Sequence, residues 1–186
     1  MSTEDSEIQE VARNCGVDLV IERPVGLASD DADTIDVLLH SLKIMSERRQ
    51  EYNYIALLQP TSPLRNSKHI DDAFRLMETK GANVVIAVCE TEHPVQWTGH
   101  LPPNLSMDQF IKDREFYSSN NQAHIDYQIN GAIYLLDIDN LFLTRTIFPD
   151  KGAYAYVMDR KYSIDIDTEL DFFIAQCLME SNRWLN

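Results

Sequence analysis

An α/β domain, with a mostly parallel sheet flanked by helices, is the fold predicted by this chain of 186 residues. Two observations carry the prediction. Continuous apolar runs at 54–58 and 83–88 read as strands buried on both faces, because a sheet with one wet face would alternate apolar and polar residues. Between such runs lie segments whose apolar residues recur at helical spacing, giving the β-α-β-α-β rhythm of parallel strands joined by crossovers. With 44% hydrophobic residues, the stretch 1–186 reads as one domain with room for a full core.

The elements follow in order. Ile8, Val11, Ala12 and Cys15 mark one face of a short opening helix closed by Gly16, and nothing ahead of it reads as a strand. Residues 17–21 read as a buried strand, and 22–33 as a loop ending in acidic and small residues that can cap a helix. Ile35, Leu38, Leu39, Leu42 and Met45 give an amphipathic helix reaching about Arg49. After the strand at 54–58 comes a turn-rich segment, Gln59-Pro60-Thr61-Ser62-Pro63-Leu64-Arg65. A helix on Ile70, Ala73, Phe74 and Met77 and the strand at 83–88 complete the alternation. Residues 91–125 then hold three prolines and no long periodic segment, too long for an ordinary connection. They read as an excursion from the sheet that pairs with another subunit. Strand character returns at 128–136, a short helix at 138–143 and a strand at 154–158. From Thr168 onward, Leu170, Phe173, Ile174, Cys177 and Leu178 recur at helical spacing, with Thr168 as N-cap and Asp171 three residues on.

Composition narrows the function. A net charge of −14 leaves no basic patch to release counterions from a nucleic-acid backbone, so no nucleic-acid partner is expected. Cys15, Cys89 and Cys177 are scattered, without CxxC or a nearby His, and read as buried small apolar residues in a reducing compartment. No stretch of about eighteen apolar residues occurs, so no membrane association and a cytoplasmic location are expected. No Gly-rich phosphate loop of the GxGxxG or GxxxxGK[ST] form and no GxSxG elbow is present.

Ser163-Ile164-Asp165-Ile166-Asp167-Thr168-Glu169-Leu170-Asp171 carries the strongest chemical signal. As an extended run it points Asp165 and Asp167 to one face and the two isoleucines to the other. Two such carboxylates suit Mg²⁺, which takes a few carboxylates and completes its shell with water and substrate phosphates. The same pattern also suits a merely solvated strand edge, and spacing does not separate the two. Residues 59–65 leave the C-terminal end of a buried strand, where α/β folds bind ligands, although a rigid surface turn has the same composition. Asn130-Gly131-Ala132 is either a close backbone approach or a strand bulge.

Three segments together carry a family resemblance. Leu57-Leu58-Gln59-Pro60-Thr61-Ser62-Pro63-Leu64-Arg65, Asn130-Gly131-Ala132-Ile133-Tyr134 and the run 163–171 resemble the acylneuraminate cytidylyltransferases, in that family's order and at compatible spacing. Arg23-Pro24 followed by Leu27-Ala28-Ser29-Asp30 resembles a fourth segment. The resemblance implies a Rossmann-like nucleotide-diphospho-sugar transferase fold. It also implies a Mg²⁺-dependent reaction of CTP with a nonulosonic acid, giving a CMP-sugar and pyrophosphate. Asp165 and Asp167 would hold the metal as the catalytic pair. Arg23 and Thr34 fall where the family contacts the nucleotide; Gln59, Asn130 and Tyr134 fall where it contacts the sugar acid, and Phe148 near the pocket wall. Residues 91–125 match the family's dimerisation element, which implies a homodimer.

The departures set further expectations. The family opens with a strand and a Gly/Arg/Lys-rich loop that cradles the triphosphate; here Met1 to Ile8 resemble the segment just after the family's second strand, an N-terminally shortened pattern expected to bind CTP weakly by itself. Gln96, Asn120, Asn121 and Gln128 stand at or beside positions where the resemblance leads one to expect Lys or Arg. Neutral amides cannot attract a carboxylate as a guanidinium does. A different sugar acid follows, or a non-catalytic homologue that keeps the fold and dimer surface.

Overall fold

The computed structural model describes residues 1–29, 31–112 and 125–181. Four strands make the central sheet: β3 (Tyr54–Leu57), β4 (Val84–Glu90), β5 (Tyr127–Asp137) and β6 (Ala153–Val157), in the order β3-β5-β4-β6. Strands β3, β4 and β6 share one direction, as the α/β reading requires; β5 runs against them and lies between β3 and β4. A second, two-stranded parallel sheet joins β1 (Ser2–Thr3) to β2 (Ile21–Glu22). β1 corrects the expectation of no strand before the first helix, and β2 is shorter than the apolar run 17–21 suggests. Two residues per strand suffice for this pairing, too few to leave a periodic trace in the sequence.

Helices α1 (Ser6–Asn14), α2 (Thr34–Glu47), α3 (Ser67–Lys80), α5 (Ile138–Thr144) and α6 (Glu169–Glu180) fall where the spacing places them, with a short α4 (Asp108–Lys112) between β4 and β5. Each long helix has a physical start. Asp33 caps α2 by accepting from Ile35 N at 2.9 Å. Asn66 and His69 form a reciprocal capping box on α3, and Thr168 with Asp171 does the same for α6. α3 ends at Gly81, whose φ of +55° suits a residue without a Cβ.

β4 and the second half of β5 are buried on both faces, which is why β4 reads as a continuous apolar run, whereas edge strand β6 is largely exposed. Val85, Ala87, Ile133 and Leu135 pack toward Ala73 and Met77 of α3. Their neighbours Val84, Ile86, Tyr134 and Leu136 pack toward Ile35 and Leu38 of α2 and Leu141 of α5. One expectation of burial fails. Cys15 and Cys177 are exposed and Cys89 alone of the three is buried. On α6 the inward stripe is Asp171, Ala175 and Leu178, so Leu170, Phe173 and Ile174 point outward. Within 91–125, the described part is irregular apart from a single 3₁₀ turn at Val95–Trp97 and α4; Asn120, Asn121 and His124 lie outside the described residues.

One irregularity positions everything that follows. Between the pairs Ile86↔Tyr134 and Val88↔Ile129, β4 advances two residues while β5 advances five. The excess falls on 130–133 and makes a bulge, which bends a strand and frees its backbone for other uses. Gly131 sits there with φ +70°.

Candidate active site

The bulge meets two loops. Residues 59–65 leave the C-terminal end of β3 and turn back at once, with Ser62 N donating to the Gln59 carbonyl at 3.3 Å. Ser62 is fully buried and its hydroxyl donates to the Asn130 carbonyl at 3.1 Å. Arg65 Nη1 donates to the carbonyls of Ala132, at 2.7 Å, and Gln59, at 3.2 Å. Burial lowers its pKa without neutralising a guanidinium. The sequence offered this loop as a dense set of donors and acceptors; Ser62 and Arg65 are spent on the scaffold.

The acidic run closes the arrangement. Asn130 Nδ2 donates to Ser163 Oγ at 2.9 Å, while its Oδ1 accepts from Ala132 N at 3.1 Å. Ile166 N donates to the Thr61 carbonyl at 2.9 Å. The loop carrying Asp165 and Asp167 is thus tied at both ends, one tie to β5 and one to the 59–65 turn. A methyl group placed on Gly131 would lie 2.5 Å from Gln59 Oε1, 3.3 Å from Ser62 Oγ and 3.4 Å from Asp165 Oδ2. All three sequence segments therefore converge on one point, which a glycine leaves open to the end of the Gln59 side chain.

Asp165 and Asp167 line one cavity of about 730 Å³ with Gln128, Asn130, Ser163, Glu92, Arg160 and Lys161. Asp171 also faces it, but its carboxylate accepts from Thr168 Oγ, Thr168 N and Asp167 N at 2.7–3.3 Å. These bonds, the Thr168 hydroxyl first, hold its pKa below the usual carboxylate value. Asp165 differs: its Oδ1 is buried and has no hydrogen-bond partner among the described residues. A buried carboxylate oxygen left unpaired is costly unless a cation completes it. Among the described residues no group of three or more His, Cys, Asp or Glu could hold a metal ion. Asp165 and Asp167 would offer an ion only a carboxylate pair, a set that fits Mg²⁺, which relies on one or two carboxylates plus substrate phosphates.

Of the remaining candidates, three fall in a second, smaller cavity, and Tyr134 and Phe148 pair with each other outside the lining of both cavities. Arg23, Thr34 and Gln59 line a space of about 180 Å³ beside the end of β3. Arg23 Nη2 donates to the Ser2 carbonyl at 2.6 Å, which fixes the guanidinium over β1. Gln59 belongs to this space and, through its Oε1 above Gly131, also reaches the Asp165 neighbourhood. Tyr134 is buried, and burial followed by the Asp165 charge raises its pKa. Its ring meets exposed Phe148 edge-on at 6.4 Å between centroids. Sequence reasoning missed Glu92, Arg160 and Lys161. The one available signal was position: a basic pair stands just ahead of the acidic run.

No family model matches the chain. Among curated proteins it is 31% identical over 184 residues to an N-acylneuraminate cytidylyltransferase of Escherichia coli, covering 98% of this chain and 42% of that protein. It is 27% identical over 185 residues to the CMP-N,N'-diacetyllegionaminic acid synthase of Legionella pneumophila, 98% of this chain and 78% of that one. A pseudaminic acid cytidylyltransferase of Campylobacter jejuni is 25% identical over 183 residues, again 98% of this chain and 78% of the relative. The chain thus spans less than half the length of the first relative and more than three quarters of the other two.

Proposed function

The chain belongs to the acylneuraminate cytidylyltransferase family, and from that premise we propose that it takes part in coupling CTP to a nonulosonic acid, forming a CMP-sugar and releasing pyrophosphate. The observation that carries the reading is the convergence at Gly131 of Gln59, Ser62 and Asp165, one from each loop and all against the β5 bulge. In this reading the anomeric hydroxyl oxygen of the sugar bonds to the α-phosphorus as the bond to the departing pyrophosphate breaks, and the hydroxyl proton passes to solvent. The chain's task is placement and electrostatics. Asp165 and Asp167 would hold Mg²⁺, which neutralises phosphate charge when bound. Arg23 and Thr34 bind the nucleotide in the smaller cavity. Gln59, between the two cavities, orients the sugar acid toward it, and the Tyr134 and Phe148 rings form an apolar wall. Asn130 acts through others: both ends of its buried amide are bonded inside the protein, so it positions the carboxylate loop.

The 1–186 stretch works in this reading as one nucleotidyltransferase-like domain, with 91–125 as its dimerisation element. Val95, Trp97, Leu101, Leu105 and Ile111 are each at least half exposed there, which supports a homodimer. No helix among the described residues is long and apolar enough to cross a membrane, and the free thiols suit a cytoplasmic setting.

Incubation of the protein with CTP, Mg²⁺ and, in turn, N-acetylneuraminic, N,N'-diacetyllegionaminic and pseudaminic acid tests the reading. Release of CMP-sugar and pyrophosphate with one of them is expected. Absence of product with all three would favour the second reading, a non-catalytic homologue, which the neutral Gln128 at the cavity wall supports.

A further inference from the structure

The larger cavity carries charges that the reading above leaves without a role. Its charged lining consists of Glu92, Arg160, Lys161, Asp165, Asp167 and Asp171, four carboxylates against two cations. A sugar acid entering this space adds another negative charge. Gln128 and Asn130 cannot offset it, because amides carry no net charge. Among the described residues lining the cavity, Arg160 and Lys161 are the side chains whose charge can attract the substrate carboxylate.

Geometry separates the two. Lys161 Nζ lies over the ring of its neighbour Tyr162, 4.9 Å from the centroid. Arg160 Nη2 instead meets Glu92 Oε1 at 3.4 Å, with the two side chains 51% and 68% exposed. An ion pair that wet is worth little, so exchanging the Glu92 carboxylate for another costs little. The guanidinium fork also matches a carboxylate in two parallel bonds, which an ammonium cannot do. The base of Arg160 is fixed. It opens a 3₁₀ turn, Arg160–Tyr162, whose cap Asp159 accepts from Lys161 N at 3.0 Å. Ser163 Oγ donates back to the Asp159 carbonyl at 3.0 Å while accepting from buried Asn130. The turn is thereby pinned to the same bonds that hold the Asp165 loop.

We propose that Arg160 is the carboxylate-recognition residue of the sugar-acid site, with Glu92 as the internal partner that the substrate carboxylate displaces. The inference rests on the reading of this cavity as a nonulosonic-acid site. It supplies, from the end of β6, the cation that the amide positions lack.

Titration calorimetry with the full chain tests it, using the three acids named above, CTP, and the methyl ester of N-acetylneuraminic acid as an uncharged control. Arg160→Gln should weaken acid binding roughly ten- to hundredfold, the loss of one charge-assisted bidentate contact. Ester and CTP affinity should stay within about twofold. Arg160→Lys should fall between, and Glu92→Gln should tighten the acid severalfold by removing the competing carboxylate. Both residues are more than half exposed, so these variants should fold, and circular dichroism checks that. Unchanged acid binding in Arg160→Gln overturns the proposal. So does equal weakening of acid and ester, or a loss that falls on CTP, which would assign the guanidinium to phosphate. If the unaltered protein binds none of the three acids, the sugar-acid reading itself fails and this inference falls with it.

Discussion

Gly131→Ala separates the two roles of the convergence point. The residue holds φ +70°, and forcing an alanine into that left-handed region costs about 1–2 kcal/mol. The added methyl would lie 2.5 Å from Gln59 Oε1, so the glutamine must leave. Because that atom ends a flexible side chain, the displacement itself adds only about 0.5–1.5 kcal/mol. Ser62 Oγ at 3.3 Å and Asp165 Oδ2 at 3.4 Å need shift by no more than a few tenths of an ångström. The expected loss of stability is thus roughly 2–3 kcal/mol, with the fold intact. The functional loss is separate. In the proposed role Gln59 swung away would forfeit a hydrogen bond to the sugar acid, about 1 kcal/mol or more, a five- to tenfold rise in dissociation constant. Urea unfolding reads the first quantity and calorimetry with N-acetylneuraminic acid the second. A Gln59→Ala background removes the colliding atom, so there Gly131→Ala should cost only the backbone term, and the double-mutant cycle should return a coupling of about 0.5–1.5 kcal/mol. Strict additivity would refute the claim that Gln59 occupies the space over Gly131.

Four further outcomes are expected. Asp165→Asn, which alters a carboxylate whose Oδ1 has no protein hydrogen-bond partner among the described residues, should abolish product formation yet leave the urea midpoint nearly unchanged; chelation with EDTA should reproduce the loss reversibly. Asn130→Ala leaves the Ala132 N–H without its acceptor in a buried bulge and should cost about 1–3 kcal/mol, with product formation falling as the carboxylate loop loosens. His69 sits buried in the α3 capping box, its Nδ1 accepting from Asn66 N; burial first, then the Lys68 and Arg65 charges against an opposing Asp72, lowers its pKa. The unfolded chain therefore takes up the proton first as pH falls, so this stabilisation is whole above about pH 6.5 and is lost below it. His69→Gln keeps an acceptor at that position and should flatten the decline in urea midpoint between pH 7.5 and 5.5; parallel profiles would remove the assignment. Trp97→Asp with Leu105→Asp should shift the protein from dimer to monomer in sedimentation velocity, and an unchanged dimer would place the interface elsewhere.

How much of this was legible follows from the range over which each signal acts. Val84 to Val88 and the α2 and α3 spacing announce buried strands and helices because both sheet faces are covered. The Thr168–Asp171 box is a local pattern and was read as one. The direction and place of β5 were not legible, since a strand's neighbours are not written in its own residues; the antiparallel insertion between β3 and β4 depends on what else the sheet contains. Asn130 and Gly131 could be offered only as a bulge or a close approach, and the structure makes them both at once: the register break creates the bulge, and the bulge admits Gln59. The outward turn of Leu170, Phe173 and Ile174 shows the limit of apolar spacing, which marks a helix without saying which stripe faces inward. Arg160 escaped for a similar reason. A three-residue turn has no period, and its ion pair with Glu92 spans 68 positions in sequence.

The carboxylate pair sits where regular structure stops, yet its loop is not loosely held. Thr61 accepts from Ile166, Ser163 accepts from Asn130, and the Asn130 carbonyl accepts from Ser62. Together with the chain between Thr61 and Ser62, these bonds close a ring through all three segments. A ring differs from a row of contacts, because breaking one link leaves the loop held on one side only and lets the carboxylates move. That is why buried Asn130 should matter to product formation more than its single side chain suggests. It also explains the use of a bulge rather than a regular strand. At the bulge the Asn130 and Ala132 carbonyls accept from Ser62 and Arg65, and these bonds anchor the turn that carries Gln59. The irregularity in the sheet is what lets the Gln59 turn and the carboxylate loop be held by the same few bonds.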